Sequence, residues 1–405
     1  MTVPIFSPSS REFLQNPYPH YSEIRSQNPV HWIDENTLVL AKYSDVRRAL
    51  IAPELGVTAI PDLVESLAQR HKDVNASKLI EFARKSMVFT EGEDHRRLKK
   101  AVQSSFTEAQ AARQKLAITE CVDRILHVLP ENEDIDLVPN VAHKLSGLFL
   151  GRMFGLDDVE ALEMEVYTNR IRSLLQPRSA TVNQLKSAVN ALEEALTVFS
   201  NVSRRFVKSP FMEMYLSAME NGSVTEEEVL MLCIMTYVAG HETSQALAAN
   251  ALVSIAIAAP RLYTQPLNRS QARLVVHETL RYEPPLQITT RIVKRELSFD
   301  GHVLRPGQTL LLLLGSANRD EREFERPDEF DVSRNQQPYL TFGAGIHSCL
   351  GSHFAILEAE ILLSRMLTEF RINLCDGALK RIWRPSSAFL RSAFSLKAKL
   401  SRELT

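Results

Sequence analysis

The stretch Phe342-Gly343-Ala344-Gly345-Ile346-His347-Ser348-Cys349-Leu350-Gly351 sets one cysteine among small residues directly before a helical segment. Glycines let a backbone turn tightly and approach a flat group closely. A loop that runs into a helix N-terminus also leaves amide N–H groups free, and these stabilise a thiolate by hydrogen bonds and partial positive charge. A cysteine that only fills a core needs no such surroundings. Gly343-Ala344-Gly345 could also open a dinucleotide fingerprint, but Ser348 stands at the third glycine position and no βαβ pattern follows.

Downstream, apolar residues at Phe354, Leu357, Ile361 and Met366 predict a helix over about 350–370. Upstream, 318–337 is polar, carries Pro327 and reads as an irregular meander. Before that, Asp300-Gly301 and Pro306-Gly307 supply turns between short β segments at 297–299, 302–304 and 309–314. Glu278 and Arg281 share a face of a helix, where they can pair. The middle of the chain is helical, with periodic segments at about 94–105, 107–128, 181–207 and 224–258. Within the last of these, Ala239-Gly240-His241-Glu242-Thr243-Ser244 puts glycine, an acid and hydroxyls where a helix interior gains nothing from them. Near the N-terminus, 30–32 and 37–40 flank Asp34-Glu35-Asn36 as a hairpin, followed by a helix over 43–50. The expected fold class is mainly α with a small β region, in one domain spanning 1–405.

The 405 residues are 44% apolar, enough for a sizeable core, and 47 basic against 49 acidic residues leave a net charge of −2. This balance gives no reason to expect nucleic acid or an anionic membrane as partner. The apolar run 229–259 is long enough to span a bilayer but carries His241, Glu242, Gln245 and Asn250, so it predicts a buried helix. Cys121, Cys233, Cys349 and Cys375 lack paired spacing, and the first residues lack the basic start and apolar run of an export signal. A cytoplasmic location is expected.

Phe342-Gly343-x-Gly345-x-His347-x-Cys349-x-Gly351 resembles the haem-binding signature of the cytochrome P450 family at every defined position. The resemblance runs from Asn16-Pro17-Tyr18 to Arg391-Ser392 and implies the family's triangular, single-domain fold. It implies haem b, with Cys349 as the axial thiolate that favours O–O cleavage, and with Phe342, Gly343 and Gly351 around it. It gives Glu278 and Arg281 a structural role in assembling the haem pocket. His95, Lys99, Arg291 and His347 become candidate partners of the haem propionates, although the family usually has arginine at the position of Lys99. Ala239 to Thr243 is similar to the family's oxygen-activation motif: Gly240 would let the helix open, Thr243 would hydrogen-bond dioxygen and Glu242 would relay protons. The family often has arginine where Ile356 stands.

The resemblance further implies O2 as co-substrate and a hydrophobic small molecule bound near 86–89, Val238, Ala239, Leu286, Gln287, Ile288, Thr289 and Phe394. A separate ferredoxin and ferredoxin reductase would supply electrons, and Arg96 and Lys100 are candidates for the docking patch. Tyr282-Glu283-Pro284-Pro285-Leu286-Gln287 resembles bacterial biosynthetic members that oxidise polyketides, macrolides or acyl chains, free or tethered to a carrier protein. Hydroxylation is the expected reaction. Coupling, desaturation, peroxide-driven oxidation and a non-catalytic haem sensor stay open as alternatives.

Overall fold

The computed structural model describes residues 6–57, 59–172, 180–334, 338–380, 382–383 and 387–402. Residues 335–337, at the end of the expected meander, lie outside this set. The described chain divides into two compact units, one of 1–56, 118–145 and 243–405, the other of 57–117 and 146–242.

Among the described residues the first unit holds every strand. Val30–Asp34 (β1) and Thr37–Leu40 (β2) form the expected hairpin, with Val30 opposite Leu40 and an irregularity between Trp32 and Asp34. Around it grows a mixed sheet in the order β1-β2-β8-β5-β3, where β3 is Leu55–Gly56, β5 is Ile288–Val293 and β8 is Thr309–Leu313. The β2–β8 pairing is parallel, Thr37 with Thr309 through Leu40 with Leu312, joining segments distant in sequence. Leu38, Leu40, Leu310 and Leu312 are buried together with Val46 and Leu50 of the helix Tyr43–Ile51. Alternation along a strand sends these residues to one face. Leu297–Phe299 (β6) and His302–Leu304 (β7) pair as a hairpin across Asp300-Gly301. Asp134–Asp136 (β4), Phe370–Leu374 (β9) and Lys397–Arg402 (β10) make a third sheet in the order β4-β10-β9. The helices Arg269–Tyr282 and Ser352–Glu369 pack on each other and carry the residues that flank the cysteine loop.

The second unit is helical among its described residues, and includes Gly92–Val102, Asp158–Arg172, Val182–Ser203 and Pro210–Glu220. The longest helix, Glu226–Ala258, begins in this unit and continues into the first. Three expected helices differ from what their periodicity suggested, and the one expected over 181–207 ends at Ser203. The segment expected over 94–105 stops at Val102 and tightens into a 3₁₀ turn, Gln103–Phe106. The segment expected over 107–128 splits into Glu108–Arg113 and Lys115–His127, because the Gln114 amide bonds back three residues to Ala111. Among the described residues no helix is long and apolar enough to cross a membrane, and all four cysteines are free.

Candidate active site

The cysteine loop is held by its own backbone. The Cys349 amide donates to Phe342 O at 2.9 Å, and the Gly343 amide donates to Leu340 O at 2.9 Å. Gly343 and Gly345 have φ of +68° and +75°, which side chains rarely tolerate. At Gly345 a Cβ would also come within 3.4 Å of Leu50 O and 3.3 Å of Ile51 Cγ2. Protein surrounds the Cys349 sulfur on most sides, yet the residue keeps an exposed face. Burial pushes its thiol up, while the amides of Gly351 and Ser352 act on the sulfur in the opposite direction. Such a thiol favours its deprotonated form once a cation binds the sulfur.

The segments behind the loop are fixed to the helix Arg269–Tyr282. Leu340 N donates to Asn318 Oδ1 at 2.7 Å, Asn318 Nδ2 donates to Thr341 Oγ1 at 2.8 Å, and Thr341 Oγ1 donates to Leu280 O at 2.5 Å. On the same helix Glu278 and Arg281, both buried, pair through two bonds of 2.7 and 2.9 Å. Arg281 also donates to the meander carbonyls of Asn318, Pro327 and Glu329, and Glu278 accepts the amide of Asp331. Arg334 Nε also lies 3.5 Å from Glu278 Oε1, so the pair is the centre of a buried joint, and removing either member leaves a buried charge poorly compensated. The pair named in the sequence as structural thus joins helix and meander.

Arg291, in β5, is buried, and the one hydrogen bond of its side chain among the described residues goes from Nη1 to its neighbour's carbonyl, Thr290 O, at 2.8 Å. Burial without a counter-charge draws its guanidinium down to about 10. A buried cation in this state calls for an anion. Among the described residues no cluster of three or more His, Cys, Asp or Glu could hold a bare metal ion. An iron on Cys349 would therefore take its other ligands from a macrocycle, and a macrocycle with carboxylates would also answer Arg291. Haem fits the residues present.

The chain matches the family model described as Cytochrome P450 over residues 271–398, the part that holds the Glu278–Arg281 pair, Arg291 and the cysteine loop. The likeness to the cytochrome P450 family is thus carried by the cysteine loop and the helix behind it. It is 28% identical over 379 residues to the biotin biosynthesis cytochrome P450 of Bacillus subtilis, covering 91% of this chain and 93% of that one. To the polyketide biosynthesis cytochrome P450 PksS of the same organism it is 25% identical, over 98% of this chain and 99% of that one. The crystal structure of P450BioI in complex with an acyl carrier protein ligated with hexadec-9Z-enoic acid superimposes with a TM-score of 0.85 at 26% identity, covering 98% and 100% of the two chains. Like these relatives the protein is an oxidoreductase of the monooxygenase type, and the similarity implies a haem iron cofactor.

The remaining residues fall into distinct environments. In the first unit His347 is half-buried beside the loop. In the second, His95 is buried with Nδ1 3.0 Å from Met87 O, and Lys99 is half-buried one turn along on the same face. Arg97 is committed elsewhere, bidentate to Glu228 at 2.6 and 2.9 Å. The long helix is continuous through Gly240, with helical residues on both sides. Although most of its middle is buried, Ala239 and Thr243, one turn apart, are exposed, with Gly240 and Glu242 half-buried between them. Glu242 is paired with Arg172, whose carrier helix lies far away in sequence, so no local spacing announced the contact.

Two expected pocket residues are spent on the interior. Gln287 is buried and donates to Tyr18 Oη and Pro284 O, and Ile288 packs into a cluster with Phe13, Tyr21 and Val39. Val238 and Ser86 are also buried, the Ser86 hydroxyl on Phe82 O. Leu286 packs in part against the sheet's core, while Thr289 is half-buried and Phe394 is exposed.

Proposed function

We propose that this protein uses Cys349 as the axial thiolate of haem b and inserts oxygen from O2 into a hydrophobic acyl or polyketide substrate, free or tethered to a carrier protein. Haem iron, when bound, supplies dioxygen activation and the oxidising power to attack an unactivated C–H bond. The chain supplies the sulfur, charge balance and protons. Cys349 keeps an exposed face, with its sulfur backed by the Gly351 and Ser352 amides, and that observation carries the reading. Arg291 would neutralise a propionate, with His95, Lys99 and His347 as further donors. Thr243, on the open stripe of the long helix, would donate a hydrogen bond to bound dioxygen, and Glu242 would pass it protons after releasing Arg172. Ala239, Thr289 and Phe394 keep enough exposure to touch an apolar ligand.

The acyl or polyketide class is supported by relatives named for biotin and polyketide biosynthesis. The carrier is supported by the acyl carrier protein bound to P450BioI. A ferredoxin and its reductase would deliver the electrons, with Arg96 and Lys100 exposed for docking, and the free cysteines suit a cytoplasmic setting. The test is the carbon monoxide difference spectrum of the reduced protein. A strongly red-shifted Soret band, lost in Cys349→Ala, is expected; a histidine-type band, or a variant that keeps the wild-type band, would sink the assignment.

A further inference from the structure

Beside the cysteine loop, two side chains are bonded to each other in a way that stability does not require. His277 Nδ1 lies 2.9 Å from the Tyr339 hydroxyl, and His277 Nε2 is buried with no partner among the described residues. Burial, with Arg273 nearby, draws the imidazole down to about 4, and burial raises the Tyr339 phenol. At neutral pH both groups are therefore uncharged and share a single hydrogen bond. Two phenylalanines of similar shape would fill this space without stranding a nitrogen. What the polar pair adds is direction.

Its neighbours show what is directed. His277 adjoins Glu278 on a helix pinned to the meander by the buried ion pair. Tyr339 opens the segment leading to the cysteine, and its ring centroid lies 6.1 Å from that of Phe342 at a tilt of 53°. The carbonyl of Phe342 accepts the Cys349 amide at 2.9 Å. A continuous set of contacts thus runs from the pinned helix through Tyr339 and Phe342 to the residue bearing the sulfur.

We propose that His277 and Tyr339 are positioning residues for the Cys349 ligand, their bond fixing the Tyr339 ring and, through Phe342, the loop that presents the sulfur. This rests on Cys349 being the haem ligand. The experiment uses the haem-loaded protein and its variants Tyr339→Phe, His277→Phe, the double variant and His277→Gln. Two quantities are measured: the thermal unfolding midpoint, and the rate at which the reduced carbon monoxide complex loses its thiolate-type Soret band. Both phenylalanine variants should lose the band at least about fivefold faster than wild type, His277→Gln should recover most of the difference, and the double variant should unfold no earlier than wild type. Wild-type decay in every variant overturns the proposal, as does faster decay that tracks a lowered midpoint in the double variant. A wild-type protein without the band overturns the ligand assignment and this inference together, whereas the variant results bear on the inference alone.

Discussion

Arg172 Nη1 lies 2.5 Å from Glu242 Oε2, and two turns earlier on the same helix Glu165 Oε1 lies 4.0 Å from His241 Nε2. Residues spaced by two turns share a helix face. One face of Asp158–Arg172 therefore reaches two consecutive residues of the segment Ala239 to Thr243. Gly147 lies beside this contact, where a Cβ would meet His241 Nε2 at 3.7 Å and Glu165 Oε2 at 3.8 Å, ordinary packing distances.

The Arg172–Glu242 pair is partly exposed, at 30% and 18% of the two side chains, so it contributes about 1 kcal/mol after allowing for solvent screening. Arg172→Ala should speed amide hydrogen exchange in the helix Asp158–Arg172 about fivefold, with Arg172→Lys in between. Unchanged exchange would mean that the contact holds nothing.

Thr243→Ala should retain haem but divert reducing equivalents into peroxide, lowering product per reductant consumed. The threonine lies on the exposed stripe of a mostly buried helix, so the substitution opens little core and folding should be unaffected. Full coupling in the variant would remove Thr243 from dioxygen chemistry.

Arg281→Ala leaves the buried Glu278 carboxylate with Arg334 Nε at 3.5 Å and the Asp331 amide, and takes a donor from the carbonyls of Asn318, Pro327 and Glu329, of which Glu329 O keeps a second from Arg334. A loss of about 3–5 kcal/mol is expected, read as a shift of the urea midpoint or as failure to accumulate folded protein. Arg281→Lys should recover little of it, because an ammonium cannot reproduce the two-pronged contact.

Glu358, on the helix after the cysteine, is buried with Oε2 unpartnered, and burial pushes its carboxyl up to about 8. An acid raised in the folded state favours folding fully below its unfolded pKa, and that contribution is lost as pH rises through the folded value. Between about pH 4.5 and 8 this group alone should remove about 1.4 kcal/mol per pH unit at most. Glu358→Gln should flatten stability against pH over that window and raise the unfolding midpoint at pH 8. Parallel pH profiles for the two proteins would contradict this.

At Gly315 a Cβ would fall 2.1 Å from Gln287 Oε1 and 3.1 Å from Tyr21 Cε2. Gln287 cannot swing away freely, because its amide is bonded to Tyr18 and Pro284 in the interior. Gly315→Ala should therefore cost about 1–3 kcal/mol by overpacking, measurable by thermal unfolding, whereas Gly222→Ala meets open space and is strained only by its backbone.

What lies within a few residues was legible in the sequence, because loops, helix faces and hairpins are set by local chemistry. The glycines and cysteine of 342–351, the pairing of Glu278 with Arg281 three residues on, and the hairpin of 30–40 belong to this class. Nothing local joins β2 to β8, places Arg172 against Glu242, or sets His277 beside Tyr339. Nor does the pattern of Gln287 and Ile288 say which face of β5 meets the interior, since a strand's alternation fixes only that neighbouring residues oppose. These matters were decided by packing: a contact between distant segments is selected by the burial and hydrogen bonding of everything around it, and spacing along the chain carries no record of that choice.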